Sequence, residues 1–420
     1  MLNTKKAFLI ILPISMLLLS HTLIAQNKNP LNQILNAHPQ LFEKVINHPQ
    51  KNEVQILYTQ INRDKNNKAR FKTYSYNVND QHYFYPASTI KLPAAIFALE
   101  KINELNINGL KKDIRLVIRK EFGKQTEVLK DSSSENGFPS IANYIKKILL
   151  VSDNDAFNRI YEFVGRAEIN QKLKKYGFSQ SRIINRLSIG DKGENAKHTN
   201  PFDFYDEKGN IFYQQQSNYD PKDYPLNLSN LKRGKGYFNG NDSLINEPFD
   251  FSNMNVFQLT DQHELMKKLF FPENYPSKNK FNLTPSDYDF LYSYMSKYPN
   301  ESTYPKYSLP DYYPAYCKFL FYGTDEKKPI DTNIRIFNKV GDAYGFTIDN
   351  IYFIDYKNKV EFILTAVIQS NTDEVYNDNK HEYNSVCYPF MKNLGEKIYE
   401  YELNRTKKFE PNFDKYLKFK

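Results

Sequence analysis

Apolar residues recur at helical intervals in LNQILNAHPQLFEKVIN and predict a helix over 31–47. The period then drops to two. NEVQILYTQIN and ARFKTYSYNV have strand composition, and RDKNNK between them is turn-like, so a hairpin follows. Helical spacing returns at 89–105, 139–150, 155–164 and 167–175. From about 188 to 332 the chain is rich in Tyr, Asn, Pro, Asp and Gly, with helical patterns only in VFQLTDQHELMKKLFF and PSDYDFLYSYMSK. Three strands follow, NIRIFNKVG, NIYFIDY and VEFILTAVI, and a closing helix over 383–402 carries Val386, Phe390, Leu394 and Ile398 on one face. Isolated hairpins are only marginally stable, so the strands at the two ends are expected to share one sheet. The fold class is therefore α+β, an α/β sandwich. An antiparallel sheet from N- and C-terminal strands is flanked by helices, and a mostly helical lobe over about 105–332 includes a long Tyr-rich insertion at about 188–332.

Composition adds a compartment and removes some chemistries. Residues 1–25 read as an export signal, with Lys5 and Lys6, the apolar AFLIILPISMLLL, and LIA before Gln26, which places the mature chain outside the cytoplasm. No later stretch is apolar enough to span a bilayer. Loss of Lys5 and Lys6 lowers the formal +9 by two, to +7. The remaining lysines are scattered rather than grouped, which argues for solvated surface and against nucleic acid. Cys317 and Cys387 either form one disulfide or remain two thiols. The seven histidines include no close pair and there is no Cys-x-x-Cys, so neither a metal nor another cofactor is expected.

Three short stretches carry chemistry. In YPASTIKLPAAIFALEKI, Ser88 and Lys91 lie three apart, on one helical face. A hydroxyl is a poor nucleophile until a base takes its proton, and a desolvated lysine can act as a free amine. Pro93 fits this helix only in or near its first turn. In ILLVSDNDAF, Ser152, Asp153 and Asn154 stand between two helices, where they either cap the second or present a hydroxyl relay and an amide donor to substrate. In FNKVGDAYGFTIDN, Lys339 precedes Gly341, whose missing side chain permits a close backbone approach.

S-x-x-K, S-D-N and K-x-G in that order resemble the class A serine β-lactamases and penicillin-binding proteins. The resemblance covers most of the mature chain and implies one serine hydrolase domain over 26–420. It makes Ser88 the nucleophile, Lys91 its activating partner and Ser152 a relay to the leaving group. Asn154, Lys339, Gly341 and Asp342 become substrate-binding residues, with the backbone N–H groups of Ser88 and Asp342 forming an oxyanion hole. Two positions depart from the family pattern. Val340 replaces a Thr or Ser whose hydroxyl would meet a substrate carboxylate. About 36 residues beyond Ser152, where class A enzymes carry the glutamate that activates the deacylating water, stands Ser188, with Glu194 and Asp191 as substitutes in a longer loop. The implied partner is a small β-lactam or a peptidoglycan peptide. The first reading is periplasmic hydrolysis of a β-lactam or related amide through a Ser88 ester. The alternatives are a D-Ala-D-Ala carboxypeptidase or transpeptidase, and a degenerate binder.

Overall fold

The computed structural model describes residues 29–190 and 193–420, so the expected export signal and Asp191 lie outside the described residues. The strands are β1 (Gln55–Arg63), β2 (Ala69–Tyr76), β3 (Ile334–Ala343), β4 (Phe346–Asp355) and β5 (Val360–Gln369). They form one antiparallel sheet in the order β3-β4-β5-β1-β2, so the two ends of the chain meet at the β5–β1 pair, as the hydrophobic pattern predicts. β3 and β4 are joined by Tyr344 and Gly345, at φ 54° and 79°, between the paired Ala343 and Phe346. Two left-handed residues make the turn whose twist matches the strands.

The single helix expected over 31–47 is two, α1 (Pro30–Ala37) and α2 (Pro39–Ile46), because Pro39 keeps His38 out of helical geometry. The others follow the sequence reading closely: α3 (Lys91–Leu105), α4 (Ile141–Val151), α5 (Asn154–Val164), α6 (Arg166–Lys175), α7 (Leu259–Phe270), α8 (Pro285–Ser296) and α9 (Tyr388–Asn404). Among the described residues no helix is long and apolar enough to cross a membrane.

β4 and β5 are buried along their whole length, since helices cover both faces of the sheet. Ile351 and Phe353 join Leu31, Phe42, Phe390 and Leu394 of α1, α2 and α9 in one core. Tyr352 and Ile354 point the other way and join residues of α3, α5 and α7. Each fully buried side chain of this size contributes about 1.5–3 kcal/mol, so this double core holds the β3–β4 hairpin firmly beneath the cleft.

In the region at 188–332 the two expected helices, α7 and α8, are the long ones among the described residues; the first part, for which the pattern gave no element, is made of short ribbons, with Phe202–Tyr205 paired to Leu116–Ile118 and Ile211–Gln215, and Gly236–Phe238 paired to Leu244–Ile245 and Val375–Tyr376. Their aromatic residues pack onto the approach to Ser88: Phe249 and Phe251 share a cluster with Tyr83, Tyr85, Ala87 and Phe346.

Candidate active site

Ser88 lies in a tight turn, Ala87–Ile90, that feeds α3. Ala87 adopts a left-handed φ of 48°, unfavourable for a residue with a Cβ, and its burial in the aromatic cluster holds it there. Pro93 is the third residue of α3, where a missing N–H leaves no intrahelical bond unmade. Edge strand β3 packs on the turn from the other side. A Cβ at Gly341 would stand 2.7 Å from the Ser88 nitrogen, so only glycine permits this approach. With Ala343 and Phe346 closing the hairpin, the alternation of an antiparallel ladder turns the Asp342 N–H outward, toward the Ser88 turn.

The S-D-N turn is the direct joint between α4 and α5. Ser152 ends α4 in a left-handed conformation, φ 60°, with its N–H bonded to Ile148 O. The Asp153 carboxylate caps α5, accepting from Ala156 N at 2.8 Å, and so holds the turn. This geometry aims the Ser152 carbonyl and the Asn154 amide at one point, the Lys91 ammonium nitrogen.

Lys91 is fully buried. Its Nζ donates to Ser152 O, to Asn154 Oδ1 at 2.6 Å, and more weakly to Ser152 Oγ at 3.4 Å. Burial, and then the charge of Lys339, push its pKa well below the lysine value of 10.5. Lys339 is 2% exposed. Its Nζ donates to Ser152 Oγ at 2.8 Å and to Val340 O at 2.7 Å, and burial brings its pKa down to about 8. Two lysines thus converge on Ser152, with Ser88 three residues ahead of one and packed against the strand that carries the other.

Asn154 completes the link. Its Nδ2 donates to Ser188 Oγ at 2.8 Å, and Ser188 stands in the cleft wall beside it. Glu194 does not substitute: it is exposed and engaged with Lys197, His198 and Tyr219, and it is not part of the cleft wall. Val340 needs a second correction. Strand alternation places its side chain opposite that of Lys339, in the apolar core with Ile351 and Ile368, at 3% exposure, so it bears on packing rather than on the cleft. Cys317 and Cys387 are both free thiols.

The cleft encloses about 380 Å³, and its wall includes Ser88, Asn154, Ser188 and Asp342. Tyr85, Tyr344, Asn377, Asn379, His381 and Tyr383 also line it, and sequence reasoning missed these. Asn377, Asn379 and His381 lie in a loop whose sequence signal is polarity, and Tyr383 opens the helical turn that leads into α9. Asp342 is exposed at the cleft floor yet crowded by protein; desolvation raises its carboxyl pKa, against the opposing pull of a 2.8 Å hydrogen bond from Tyr388 Oη and the charge of Lys339.

A search of curated protein sequences returned no match. Among solved structures, PBP-A is similar at 16% identity over 87% of this chain and 96% of that one, with a TM-score of 0.46. A β-lactamase from Streptomyces albus G is similar at 11% identity over 87% of this chain and 98% of that one, with a TM-score of 0.45. A family model described as the beta-lactamase enzyme family matches residues 40–401. The match spans most of the sequence, and the chain belongs to that family.

Proposed function

We propose that the protein is an acyl-transferring serine hydrolase that opens a β-lactam or related amide through a Ser88 ester, and that this ester hydrolyses slowly. One observation carries the reading: a buried, desolvated Lys91 held by the Ser152 carbonyl and the Asn154 amide, one helical turn from Ser88. A neutral amine has two N–H groups, and these two close acceptors use both, so the 3.4 Å contact with Ser152 Oγ takes none and the lone pair is left for the Ser88 proton.

In the proposed sequence Ser88 Oγ attacks the amide carbonyl carbon and its proton passes to Lys91 Nζ. The N–H groups of Ser88 and Asp342 receive the oxyanion, a stabilisation that elsewhere contributes about 2.7–4 kcal/mol per donor. When the C–N bond breaks, the leaving nitrogen takes its proton from Ser152 Oγ. That hydroxyl is replenished from the Lys91 side, while Lys339 keeps it oriented. Water then cleaves the ester, and here the machinery is thin. Asn154 meets a hydroxyl at Ser188, which cannot act as a carboxylate base near neutral pH. Slow deacylation favours behaviour like that of a penicillin-binding protein over rapid β-lactam turnover. Export to the periplasm, supported by the N-terminal pattern, would bring the cleft to such substrates.

The test is an intact-mass time course with a penicillin and with its carboxamide. The expected result is a mass increase of one ligand that maps to Ser88 and persists for many minutes. No adduct with either compound would overturn the proposal, and fast product release without accumulation would overturn its deacylation half.

A further inference from the structure

The lysines at the heart of the site are buried and hydrogen-bonded within the protein. Lys91 is fully buried and Lys339 nearly so, and the hydrogen bonds of Lys339 go to Ser152 Oγ and Val340 O. Neither lysine lines the cleft. Among the described residues, the titratable side chains that do, besides tyrosines, are Asp342 and His381. Burial lowers the His381 pKa below the ordinary 6.5, so the ring is uncharged at neutral pH. Its Nδ1 is buried and, among the described residues, has no hydrogen-bond partner. Asn377 and Asn379 are exposed, neutral amides. Among the described residues that line the cleft, the formal charge is therefore the carboxylate of Asp342, fixed by Tyr388 on the strand whose backbone approaches Ser88.

A carboxylate on the substrate would face Asp342 with no cation among the described lining residues to meet it, and like charges at close range disfavour binding. An ammonium group would instead meet an ionised carboxylate, with uncharged acceptors nearby. We propose that Asp342 makes this cleft selective for amide substrates that carry an ammonium group, rather than a carboxylate, beside the bond that is opened. The proposal rests on the acyl-enzyme reading of Ser88 and narrows its substrate class.

Three probes decide it: a penicillin, its carboxamide and its 2-aminoethyl amide, which differ only at the carboxyl position. Acylation rates read by intact mass are expected to rise from acid to amide to amine, with the amine at least tenfold faster than the acid. In Asp342→Asn, whose amide oxygen still accepts from Tyr388, the three rates should fall within about threefold of one another. An acid that reacts fastest in the native protein, or an order unchanged in Asp342→Asn, overturns the proposal. If no probe acylates Ser88, the acyl-enzyme reading fails on its own. Calorimetric binding of the same probes to Ser88→Ala then still decides the charge preference: tighter binding of the amine supports it, and equal or tighter binding of the acid refutes it.

Discussion

The two sides of the cleft are built differently. On one, Lys91 and Lys339 are buried and every strong contact is made within the protein, to Ser152, Asn154 and the backbone of Val340. On the other, Asp342, His381 and Asn377 stand at least partly open to solvent, and Ser188 offers Asn154 only a hydroxyl. In the proposed reading the buried, preorganised side makes the ester, and the open side selects the substrate and releases the ester. A cleft can thus keep one half of a reaction cycle while the other half changes, because the halves use different side chains.

The largest effect expected from breaking this contrast is on the buried side. Lys91→Ala should lower the acylation rate by about 10²–10⁴-fold, the usual loss on removal of a general base, as measured by stopped-flow or intact mass. An undiminished rate would show that another base serves. On the open side, Ser188→Glu places a carboxylate within reach of the Asn154 amide and should speed loss of the adduct by about tenfold or more, toward general-base magnitudes. An unchanged adduct lifetime would mean that the missing acid is not what limits release.

Acylation should also depend on pH. Lys339 has a lowered pKa of about 8, so it carries its proton below that value and loses it above. The cation that orients Ser152 and holds the Lys91 pKa down therefore disappears on the alkaline side. The acylation rate should fall as pH rises through about 8, and a profile flat to pH 10 would remove Lys339 from the account. The smallest effect belongs to Val340→Thr. A hydroxyl buried in an apolar core costs about 1–3 kcal/mol of stability, visible in a denaturant titration, while acylation should stay within twofold. A large gain in acylation of carboxylate substrates would place residue 340 in the cleft after all.

Much of this could be read along the chain. The sheet joining both ends of the chain, the helix that follows Ser88 and the S-D-N turn follow from periodicity and from residue types whose backbone demands are local, such as Gly341 and the capping Asp153. Other features could not, for identifiable reasons. Pro39 splits a helix whose apolar spacing runs straight through it. The ribbons between 202 and 250 are two to five residues long, too short for an alternating pattern to register. Val340 follows Lys339 directly, so a motif read as a unit set both beside substrate, whereas strand alternation turns Lys339 toward Ser152 and Val340 into the apolar core. His381 and Asn377 reach the cleft through a loop, and no spacing rule connects them to Ser88.

The central claim is that Lys91 accepts the Ser88 proton, and it is tested most directly by NMR titration of the Lys91 side chain, labelled at Cε, in Ser88→Ala. The account predicts a titration well below the ordinary lysine value of 10.5, moving upward when Lys339 is replaced by methionine. A Lys91 that titrates at 10.5 in both backgrounds would contradict it.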